Sequence, residues 1–431
     1  MKKFSFSNLS KETYAELLQR PVIDYSTIFS QVQPIINAVR TDGDEAVKKF
    51  TLEFDNVSLD SLTVNVRPAE NIDLDSTIKS AFETAYRNIS AFHVAQIPHP
   101  LMVETMPGVV CQRLPRPIER VGLYIPGGSA VLPSSVLMLG IPAQLAGCRQ
   151  IILATPPNST GKVAPEVEFA AALCGIDKIF LAGGAQAVAA MAFGTATIPK
   201  VDKILGPGNQ YVTAAKMMLQ NSDAMISIDM PAGPSEVLVV ADETAIPAYV
   251  AADLLSQAEH GPDSQVVLVT LPGFNLLEFE AALKYQLASL PRSEIAKKAL
   301  INSYYLECGH IDEAMIFLND YAPEHLILAI SDSQDMVSKV MNAGSVFLGN
   351  WTPESVGDYA SGTNHTLPTY GYSRMYSGVS VDSFIRQMTV QQLTPDGLSL
   401  LGPSVEIMAR SESLEAHARA VTLRLKDLQK N

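Results

Sequence analysis

The pattern of apolar and polar positions divides the chain into a helical start, a long alternation of strands and helices, and a helical end. Helical periodicity fills residues 10–95, for example over Gly43–Phe50 and Thr77–Tyr86. From Arg120 onward, short apolar runs alternate with helical stretches. Strand–helix alternation of this length is typical of βαβ units that build a parallel sheet.

Two such alternations follow one another. The strands predicted for the first are residues 121–126, 150–155, 178–184 and 203–209, and its helices are 134–145, 166–172, 185–193 and 211–219. In the second, strands 236–242 and 265–270 flank a helix that carries Gln257 and His260. We therefore predict an α/β fold with two Rossmann-like parallel-sheet domains, one of them split in sequence, plus small helical N- and C-terminal extensions.

The chain after Pro395 has a helical pattern to its end. An apolar stripe at nearly heptad spacing runs through Leu414, His417, Val421, Leu425 and Leu428. Little chain is left for this stripe to pack on, so the tail is predicted to dock on another subunit. A histidine on such a stripe is by default a core or interface residue, and a metal ligand is the alternative for His417.

Composition narrows the class of protein. The chain has 431 residues, 47% hydrophobic and 18% charged, which is ordinary for a soluble globular protein of two or three domains. Its net charge of −14 argues against nucleic acid or an anionic membrane as a partner. No apolar run follows the two lysines near the N-terminus, so no signal peptide is expected, and stretches such as 136–141 are too short to span a bilayer.

The cysteines point to a reducing compartment. Cys111, Cys148, Cys174 and Cys308 are scattered and show no CxxC spacing. This pattern favours a cytoplasmic location and argues against a disulfide framework or a zinc–thiolate site. Cys148 and Cys174 lie among small apolar residues, where buried packing is the more common role, with a nucleophile as the alternative.

The most informative segment is Asp253–Asp263. Gln257 and His260 are three residues apart, so on a helix both side chains project from one face. An amide oxygen and an imidazole in this arrangement could hold a divalent metal, and the Gly261-Pro262 turn would leave the site open. The alternative is a partly solvated helix face without a ligand.

Three further segments add candidate chemistry. Glu324 and His325 lie between a helical segment, 311–321, and an apolar run, and Pro323 supplies a turn that lets both side chains cooperate in acid–base work. The alternative is a surface glutamate and a capping histidine.

Asp358 precedes a long irregular segment of small and polar residues that contains His365, and such segments are commonly functional. Together with His417, these residues supply carboxylates and imidazoles from separate segments of the chain, which are hard and borderline ligands for a metal.

Glycine-bearing turns follow several strands of the first α/β unit. They are Tyr124–Gly128, Ala182–Gln186, Leu205–Asn209 and Ala232–Ser235. Turns at the carboxyl ends of parallel strands are where open α/β sheets bind ligands, and glycine allows a nucleotide to approach the backbone. None has the GxGxxG pattern, so a dinucleotide bound here would be held in a nonstandard way; a purely structural role is the alternative.

Taken together, these segments resemble the histidinol dehydrogenase family. The resemblance runs from Gly43-Asp-Glu-Ala through Val421-Thr-Leu-Arg, essentially the full length, with no departure at a motif position. Its most specific motifs are Tyr124–Ser129, Gly206–Asn209, Asp229–Val239, Ser256–Gln265, Pro323–Leu326 and Gly357–His365.

The resemblance implies an activity and a domain division. It implies oxidation of L-histidinol through L-histidinal to L-histidine with two NAD and water, in L-histidine biosynthesis, by a homodimer with one Zn²⁺ per subunit. The division it suggests is an N-terminal arm (1–24), a discontinuous metal and substrate domain (25–123 and 235–376), an NAD-binding domain (124–234) and a helical tail at the dimer contact (377–431).

The resemblance also assigns residues to roles. The metal ligands it implies are Gln257, His260, Asp358 and His417, the last donated across the dimer interface. The substrate contacts are Ser235, His325, His365 and Glu412 together with the metal ligands, and the NAD contacts are Tyr124, Gln186 and Asn209. The acid–base residues are Glu324 and His325.

These implied roles agree with the chemistry of the residues. An imidazole titrates near neutrality, so His325 suits the base that takes the alcohol proton as hydride leaves to NAD. Glu324 would activate the water that hydrates the aldehyde, and Glu412 would pair with a substrate nitrogen. The competing hypotheses are a thiol-dependent aldehyde dehydrogenase, which needs a reactive cysteine, and a non-catalytic metal- and nucleotide-binding protein.

Overall fold

The computed structural model describes residues 1–21, 25–127, 131–231 and 233–430. Its strands are β1 (Lys2–Ser5), β2 (Thr63–Asn65), β3 (Leu101–Met106), β4 (Val109–Pro117), β5 (Arg120–Tyr124), β6 (Gln150–Thr155), β7 (Lys178–Leu181), β8 (Lys203–Leu205), β9 (Ser227–Ile228), β10 (Glu236–Ala241), β11 (Gln265–Thr270), β12 (Tyr304–Glu307), β13 (His325–Ala329), β14 (Ser345–Leu348) and β15 (Ile385–Leu393).

The helices are α1 (Lys11–Leu17), α2 (Tyr25–Asp42), α3 (Asp44–Asp55), α4 (Ser76–Val94), α5 (Ser134–Ala146), α6 (Pro165–Leu173), α7 (Gly184–Phe193), α8 (Gln210–Gln220), α9 (Pro247–Ala258), α10 (Leu276–Ser289), α11 (Ser293–Ile301), α12 (Ile311–Tyr321), α13 (Ser333–Met336), α14 (Glu354–Tyr359), α15 (Pro395–Ser411) and α16 (Glu415–Leu428). Among the helices of these described ranges, none combines the length and the apolar character needed to cross a membrane.

Two six-stranded sheets form the centre of a unit that comprises residues 1–96 and 119–384. The first sheet has the order β2-β7-β6-β5-β8-β9 and is parallel except for the antiparallel pair β2–β7. The second has the order β1-β12-β11-β10-β13-β14 and is parallel throughout. The prediction of an α/β fold with two parallel sheets is confirmed.

The central strand β10 shows why the second sheet forms. All six residues of Glu236–Ala241 are buried. Val237 and Val239 pack into the core beneath α9 and α10, whereas Leu238 and Val240 pack into the core beneath α1 and α12. Successive strand residues point to opposite faces, so a strand covered by helices on both faces needs a continuous apolar run rather than an alternating one.

The structure differs from the predicted domain division at residues 25–123. Strands β2 and β5 belong to the first sheet, and the apolar face of α2 packs on α7 and α8 of that sheet. The N-terminal arm is also more than a helical extension, because β1 pairs with β12 at the edge of the second sheet. A helical pattern identifies the face that is buried but not the sheet that covers it, which is why the sequence misassigned this range.

A second unit comprises residues 97–118 and 385–431. Its sheet is antiparallel with the order β15-β4-β3. The predicted helical tail is confirmed from Pro395, where the Thr394 side chain accepts a hydrogen bond from the Gly397 N–H and caps α15. Strand β15 precedes it and was not predicted, since the sequence assigned 377–431 to a helical tail.

Helix α4 contains a buried histidine whose charged form the fold disfavours. His93 is fully buried, and its Nδ1 lies 2.8 Å from the Ile89 carbonyl oxygen, which can only accept a hydrogen bond. Nδ1 therefore carries the proton, and Nε2 has no partner within the part of the chain that the structure describes. Burial lowers the pKa of His93, although the Ile89 carbonyl opposes this shift.

We expect the free energy of unfolding to fall as the pH drops below about 6.5, the ordinary histidine pKa in an unfolded chain. In that range the unfolded chain binds a proton that the folded protein excludes, so the contribution is complete above this pH and is lost below it. His93→Gln should reduce the loss of stability between pH 7.5 and 5.5, measured from urea unfolding midpoints. An unchanged pH dependence in the variant would contradict this assignment.

Candidate active site

A cavity of about 470 Å³ lies within the first unit, between the two parallel sheets. Its lining includes the glycine turn that follows β8 and the residues that precede β10 and β13. The residues in its wall that the sequence singled out are Asn209, Ser235, Gln257, His260, Glu324, His325, Asp358 and His365. Segments far apart in the chain thus contribute to one site.

The two sheets present opposite strand ends to this cavity. Gly206–Asn209 follow the carboxyl end of β8, the usual ligand-binding edge of an open α/β sheet. Ser235 and Glu324, in contrast, precede the amino ends of β10 and β13. The chemistry contributed by the second sheet therefore lies at the strand ends that the general rule does not select.

Glu324 and His325 reach the cavity through the turn after α12. The helix ends at Tyr321, and Ala322 adopts a left-handed conformation with φ of 54°. Pro323 then leads into β13, whose first residue is His325. The predicted turn at Pro323 is present, and both side chains line the cavity.

The Glu324 carboxyl group is buried and held by backbone. Its Oε2 accepts a hydrogen bond from the Glu236 N–H at 2.9 Å and lies 3.4 Å from Gln257 Nε2. Burial raises the pKa of Glu324, although His325 beside it opposes the shift. A carboxyl group with a raised pKa in a cavity wall is suited to accept a proton from a ligand.

His325 lies between two carboxyl groups. Its Nδ1 is 3.1 Å from Gln257 Nε2 and 3.6 Å from Glu324 Oε2. Its Nε2 is 3.3 Å from Asp358 Oδ1 but makes no aligned hydrogen bond among the described residues. Burial opposes the charged imidazolium, yet the Glu324 and Asp358 carboxylates outweigh it and raise the pKa of His325 well above its ordinary value.

Three candidate metal donors line the same cavity. Gln257 lies in the last turn of α9, whereas His260 lies in the turn beyond the end of the helix, and both line the cavity. The buried Gln257 Oε1 has no hydrogen-bond partner in the described ranges, although Nε2 of the same amide is fully engaged. Burial opposes ionisation of Asp358, but the adjacent His325 keeps its pKa below the ordinary value.

These donors suit a divalent cation but form an incomplete set. Amide oxygen, imidazole and carboxylate are all accepted by Zn²⁺ and similar metals. Over the described ranges, no group of three or more His, Cys, Asp or Glu side chains is arranged to hold a metal ion. Gln257, His260 and Asp358 contain only two such side chains, so a further donor is needed to complete four-coordination.

His365 is held firmly at the edge of the site. Its Nδ1 lies 2.8 Å from the Asp358 carbonyl oxygen, so Nδ1 donates and Nε2 is free to accept from the Ser135 hydroxyl at 3.1 Å. Asp358 itself lies in the short helix α14, not in an irregular loop. The irregular segment begins after α14, and the hydrogen bond from His365 Nδ1 to the Asp358 carbonyl oxygen connects this segment to the helix.

The structure does not place all candidate NAD contacts in the cavity wall. Asn209 lines the cavity, and its Oδ1 caps α8 by accepting from the Tyr211 and Val212 N–H groups at 3.0 and 3.1 Å. Tyr124 and Gln186 are buried beside the first sheet instead, where the Tyr124 hydroxyl accepts from the Gly184 N–H. The predicted turn positions Gly128, Ser129 and Ala232 lie outside the described residues.

Glu412 and His417 belong to the second unit. Glu412 is the C-terminal cap of α15, and His417 lies in the first turn of α16. Both side chains are exposed in this chain. His417 is therefore not a core residue of its own unit, and an exposed imidazole remains available to another surface.

Two buried ion pairs next to the cavity were not anticipated. Lys216 pairs with Asp229, and the two hold the Gly206 backbone through its carbonyl oxygen at 2.9 Å and its N–H at 2.8 Å. Arg20 pairs with Glu236. A lysine within the apolar helical segment 211–219 was the only sequence signal for the first pair, and nothing in the sequence connects Arg20 with Glu236.

The chain has an α/β fold, and the lining of one cavity contains both an acid–imidazole pair and a glycine turn. A family model described as histidinol dehydrogenase matches residues 18–425. The chain belongs to the histidinol dehydrogenase family, and the resemblance noted in the sequence is confirmed.

Individual relatives agree with this membership. The chain is 58% identical over 430 residues to the chloroplastic histidinol dehydrogenase of Arabidopsis thaliana, covering 100% of this chain and 92% of the plant protein. It is 52% identical over 436 residues to histidinol dehydrogenase of Vibrio cholerae, with both chains fully covered. The crystal structure of histidinol dehydrogenase from Elizabethkingia anophelis shares 49% identity and superposes with a TM-score of 0.95, covering 100% of this chain and 99% of that one.

Proposed function

We propose that this histidinol dehydrogenase oxidises L-histidinol through L-histidinal to L-histidine, with two NAD and one water. The observation that carries the proposal is the meeting of Glu324, His325 and the three donors Gln257, His260 and Asp358 in one cavity wall. The turn that ends at Asn209 lines the same cavity. The cavity thus combines a proton-transfer pair, a cation site and a glycine-rich ligand turn.

The cation in this proposal is one Zn²⁺ per subunit. Gln257, His260 and Asp358 would hold it, and the orphaned Gln257 Oε1 supports this because a buried amide oxygen without a partner is costly. The fourth ligand we propose is His417 from a second subunit of a homodimer. When bound, the metal would supply an attachment point for the imidazole and amine of histidinol and so orient the substrate.

His325 performs the proton transfer in the first oxidation. Its imidazole, in the deprotonated form, takes the hydroxyl proton of histidinol while a hydride leaves the same carbon for NAD, which gives the aldehyde; the carboxylates beside the ring stabilise the imidazolium that results. A positioned base of this kind contributes about 10²–10⁴-fold to the rate. The contacts of Nδ1 with Gln257 Nε2 and the Glu236 carbonyl oxygen orient the ring before the substrate binds.

Glu324 performs the proton transfer that hydration requires. Its carboxylate removes a proton from the water that adds to the aldehyde carbon, while the His325 imidazolium returns its proton to the carbonyl oxygen, which gives a gem-diol and a neutral imidazole. His325 then accepts the diol proton as the second hydride leaves, and the carboxylic acid of histidine results. The raised pKa of Glu324 supports this role, because it makes the carboxylate a stronger base than an exposed glutamate.

The remaining candidate residues bind and orient. We assign NAD contacts to Tyr124, Gln186 and Asn209, which follow or end strands of the first sheet at its carboxyl edge. We assign substrate contacts to Ser235 and His365, which line the cavity, and to Glu412 of the second unit. A cytoplasmic location, expected from the unpaired cysteines, completes the proposal.

The environment of the cysteines argues against a thiol-dependent aldehyde dehydrogenase. Such an enzyme needs a cysteine that ionises readily. Burial raises the pKa of Cys148 and Cys308 to about 12 and that of Cys174 above its ordinary value. None of the four cysteines belongs to the cavity lining within the described residues. A non-catalytic role is disfavoured by the intact Glu324–His325 pair.

The proposal is tested by NADH formation from L-histidinol, before and after zinc removal by a chelator. We expect two NADH per histidinol, loss of activity with the metal, and recovery when zinc is returned. One NADH per histidinol would show that the water-activating role of Glu324 is wrong. No NADH from the zinc-loaded protein would show that this chain acts on another substrate.

A further inference from the structure

Arg20 and Glu236 form a buried, two-pronged ion pair beside the cavity. Arg20 Nε lies 2.8 Å from Glu236 Oε2, and Nη2 lies 2.9 Å from Oε1. Only 6% of the Arg20 side chain and 1% of the Glu236 side chain are exposed. Arg20 comes from the segment between α1 and α2, so it joins the start of the chain to the start of β10.

Glu236 contacts both residues of the catalytic pair, Glu324 and His325. Its N–H donates to Glu324 Oε2 at 2.9 Å, and its Oε1 accepts from the Glu324 N–H at 3.2 Å. Glu324 is thus held at both its side chain and its backbone by a single residue. The Glu236 carbonyl oxygen also lies 3.1 Å from Gln257 Nε2 and 3.3 Å from His325 Nδ1.

Arg20 is itself anchored in a way that only a guanidinium allows. Its Nη2 donates to the Tyr321 carbonyl oxygen at 2.6 Å, and its Nη1 donates to the Leu18 carbonyl oxygen at 2.9 Å. The guanidinium lies 3.6 Å from the centre of the Tyr321 ring. Lysine cannot reproduce a planar fork of this kind, because its ammonium is a single point charge.

The charge of Arg20 also matters for Glu324. Two buried glutamates, Glu236 and Glu324, are bridged by backbone hydrogen bonds, and two such carboxylates repel each other at low dielectric. Arg20 neutralises one of them in place. Without it, the buried Glu236 carboxylate would lose its two-pronged partner and move towards water, which disturbs the contacts that hold Glu324.

We propose that Arg20, acting through Glu236, is a positioning residue that sets Glu324 for the hydration of the aldehyde. This inference rests on the proposed function, in which Glu324 activates water in the second half of the reaction only. A residue that mainly positions Glu324 should affect the oxidation of L-histidinal more than the oxidation of L-histidinol. A merely structural role would slow both steps in proportion.

The test compares Arg20→Met with wild type in separate single turnovers of L-histidinol and L-histidinal. We expect the second oxidation to slow about 10–100-fold and the first by much less, within the range that a misplaced base costs. NADH per histidinol should fall below two when an aldehyde trap is present. Arg20→Lys should recover only part of the lost rate.

Arg67→Met provides a matched control. Arg67 makes an equivalent two-pronged bond to the buried Glu168 carboxylate, at 2.9 and 2.7 Å, but neither residue lines the cavity. This variant should leave the ratio of the two steps unchanged. Equal slowing of both steps by Arg20→Met, or a ratio that matches Arg67→Met, would overturn the proposal.

A second variant covers the case in which Arg20→Met does not fold. Arg20→Met/Glu236→Met removes both buried charges, a replacement that stability usually tolerates. It also removes the carboxylate that accepts from the Glu324 N–H, so the step ratio should stay altered; a wild-type ratio would overturn the proposal.

Crystal structures of the folded variant and wild type add a readout that does not depend on turnover. A displaced Glu324 supports the inference, and an unmoved one overturns it. Failure of the proposed function, in contrast, would be seen in the wild-type protein as the absence of NADH from L-histidinol.

Discussion

Replacing His325 with asparagine is expected to lower turnover about 10²–10⁴-fold while zinc content stays unchanged. Asparagine preserves a polar side chain next to Gln257 but cannot take the proton that leaves with each hydride. His325 is assigned to both oxidations, so kcat should fall for L-histidinol and for L-histidinal alike. The measurement is steady-state NADH formation together with metal analysis of the purified protein.

The same experiment separates a base from a ligand. His325 Nε2 lies 3.3 Å from Asp358 Oδ1, so an imidazole in this position is close to the proposed metal donors. Loss of zinc in His325→Asn would show that the residue is a ligand and not a base. His310→Asn serves as the control, because His310 is exposed and its side chain makes no capping bond to α12.

Mixing two inactive variants is expected to restore about a quarter of wild-type activity if His417 is donated across a dimer interface. The variants are His260→Ala, which removes a donor from the first unit, and His417→Ala, which removes one from the second. Random pairing makes about half of the dimers mixed, and each mixed dimer contains one site with both histidines present. Coexpression with two affinity tags allows the mixed dimer to be purified, and because one of its two sites is intact it should have about half of wild-type activity.

The alternative gives a qualitatively different result. If His417 serves the site of its own chain, every site in the mixed dimer lacks one histidine, and activity stays at the level of the single variants. A mixture of His417→Ala with wild type provides the reference for subunit exchange. The exposure of His417 within its own unit is what makes the result informative, because its removal leaves the local core intact.

The sequence predicted the elements of the sheets well because their strands are short, apolar and buried on both faces. The predicted strand 150–155 and helix 134–145 match Gln150–Thr155 and Ser134–Ala146 almost residue for residue. The sequence could not predict which sheet the first helices cover. The apolar face of α2 would satisfy either core, and only tertiary packing selects α7 and α8.

The residues of the site differ in the same way, because local structure places some of them and tertiary packing places the others. Gln257 and His260 are close in sequence, at the end of α9 and in the turn beyond it, so local structure brings both to the cavity wall. The sequence identified Glu324 and His325 as a pair through Pro323 and the preceding helix. Arg20 and Glu236, in contrast, are joined by a bond between distant segments, and no local pattern encodes such a contact.

The antiparallel sheet of the second unit has a consequence for biogenesis. Strand β4 pairs with β3 on one side and with β15 on the other, and residues 119–384 of the first unit separate β4 from β15 in the chain. During translation, β4 therefore leaves the ribosome long before its second neighbour, β15, has been synthesised. Until Ile385–Leu393 emerges, the nascent chain carries an open strand edge that can pair with another polypeptide. Truncation before Ile385 makes that exposure permanent.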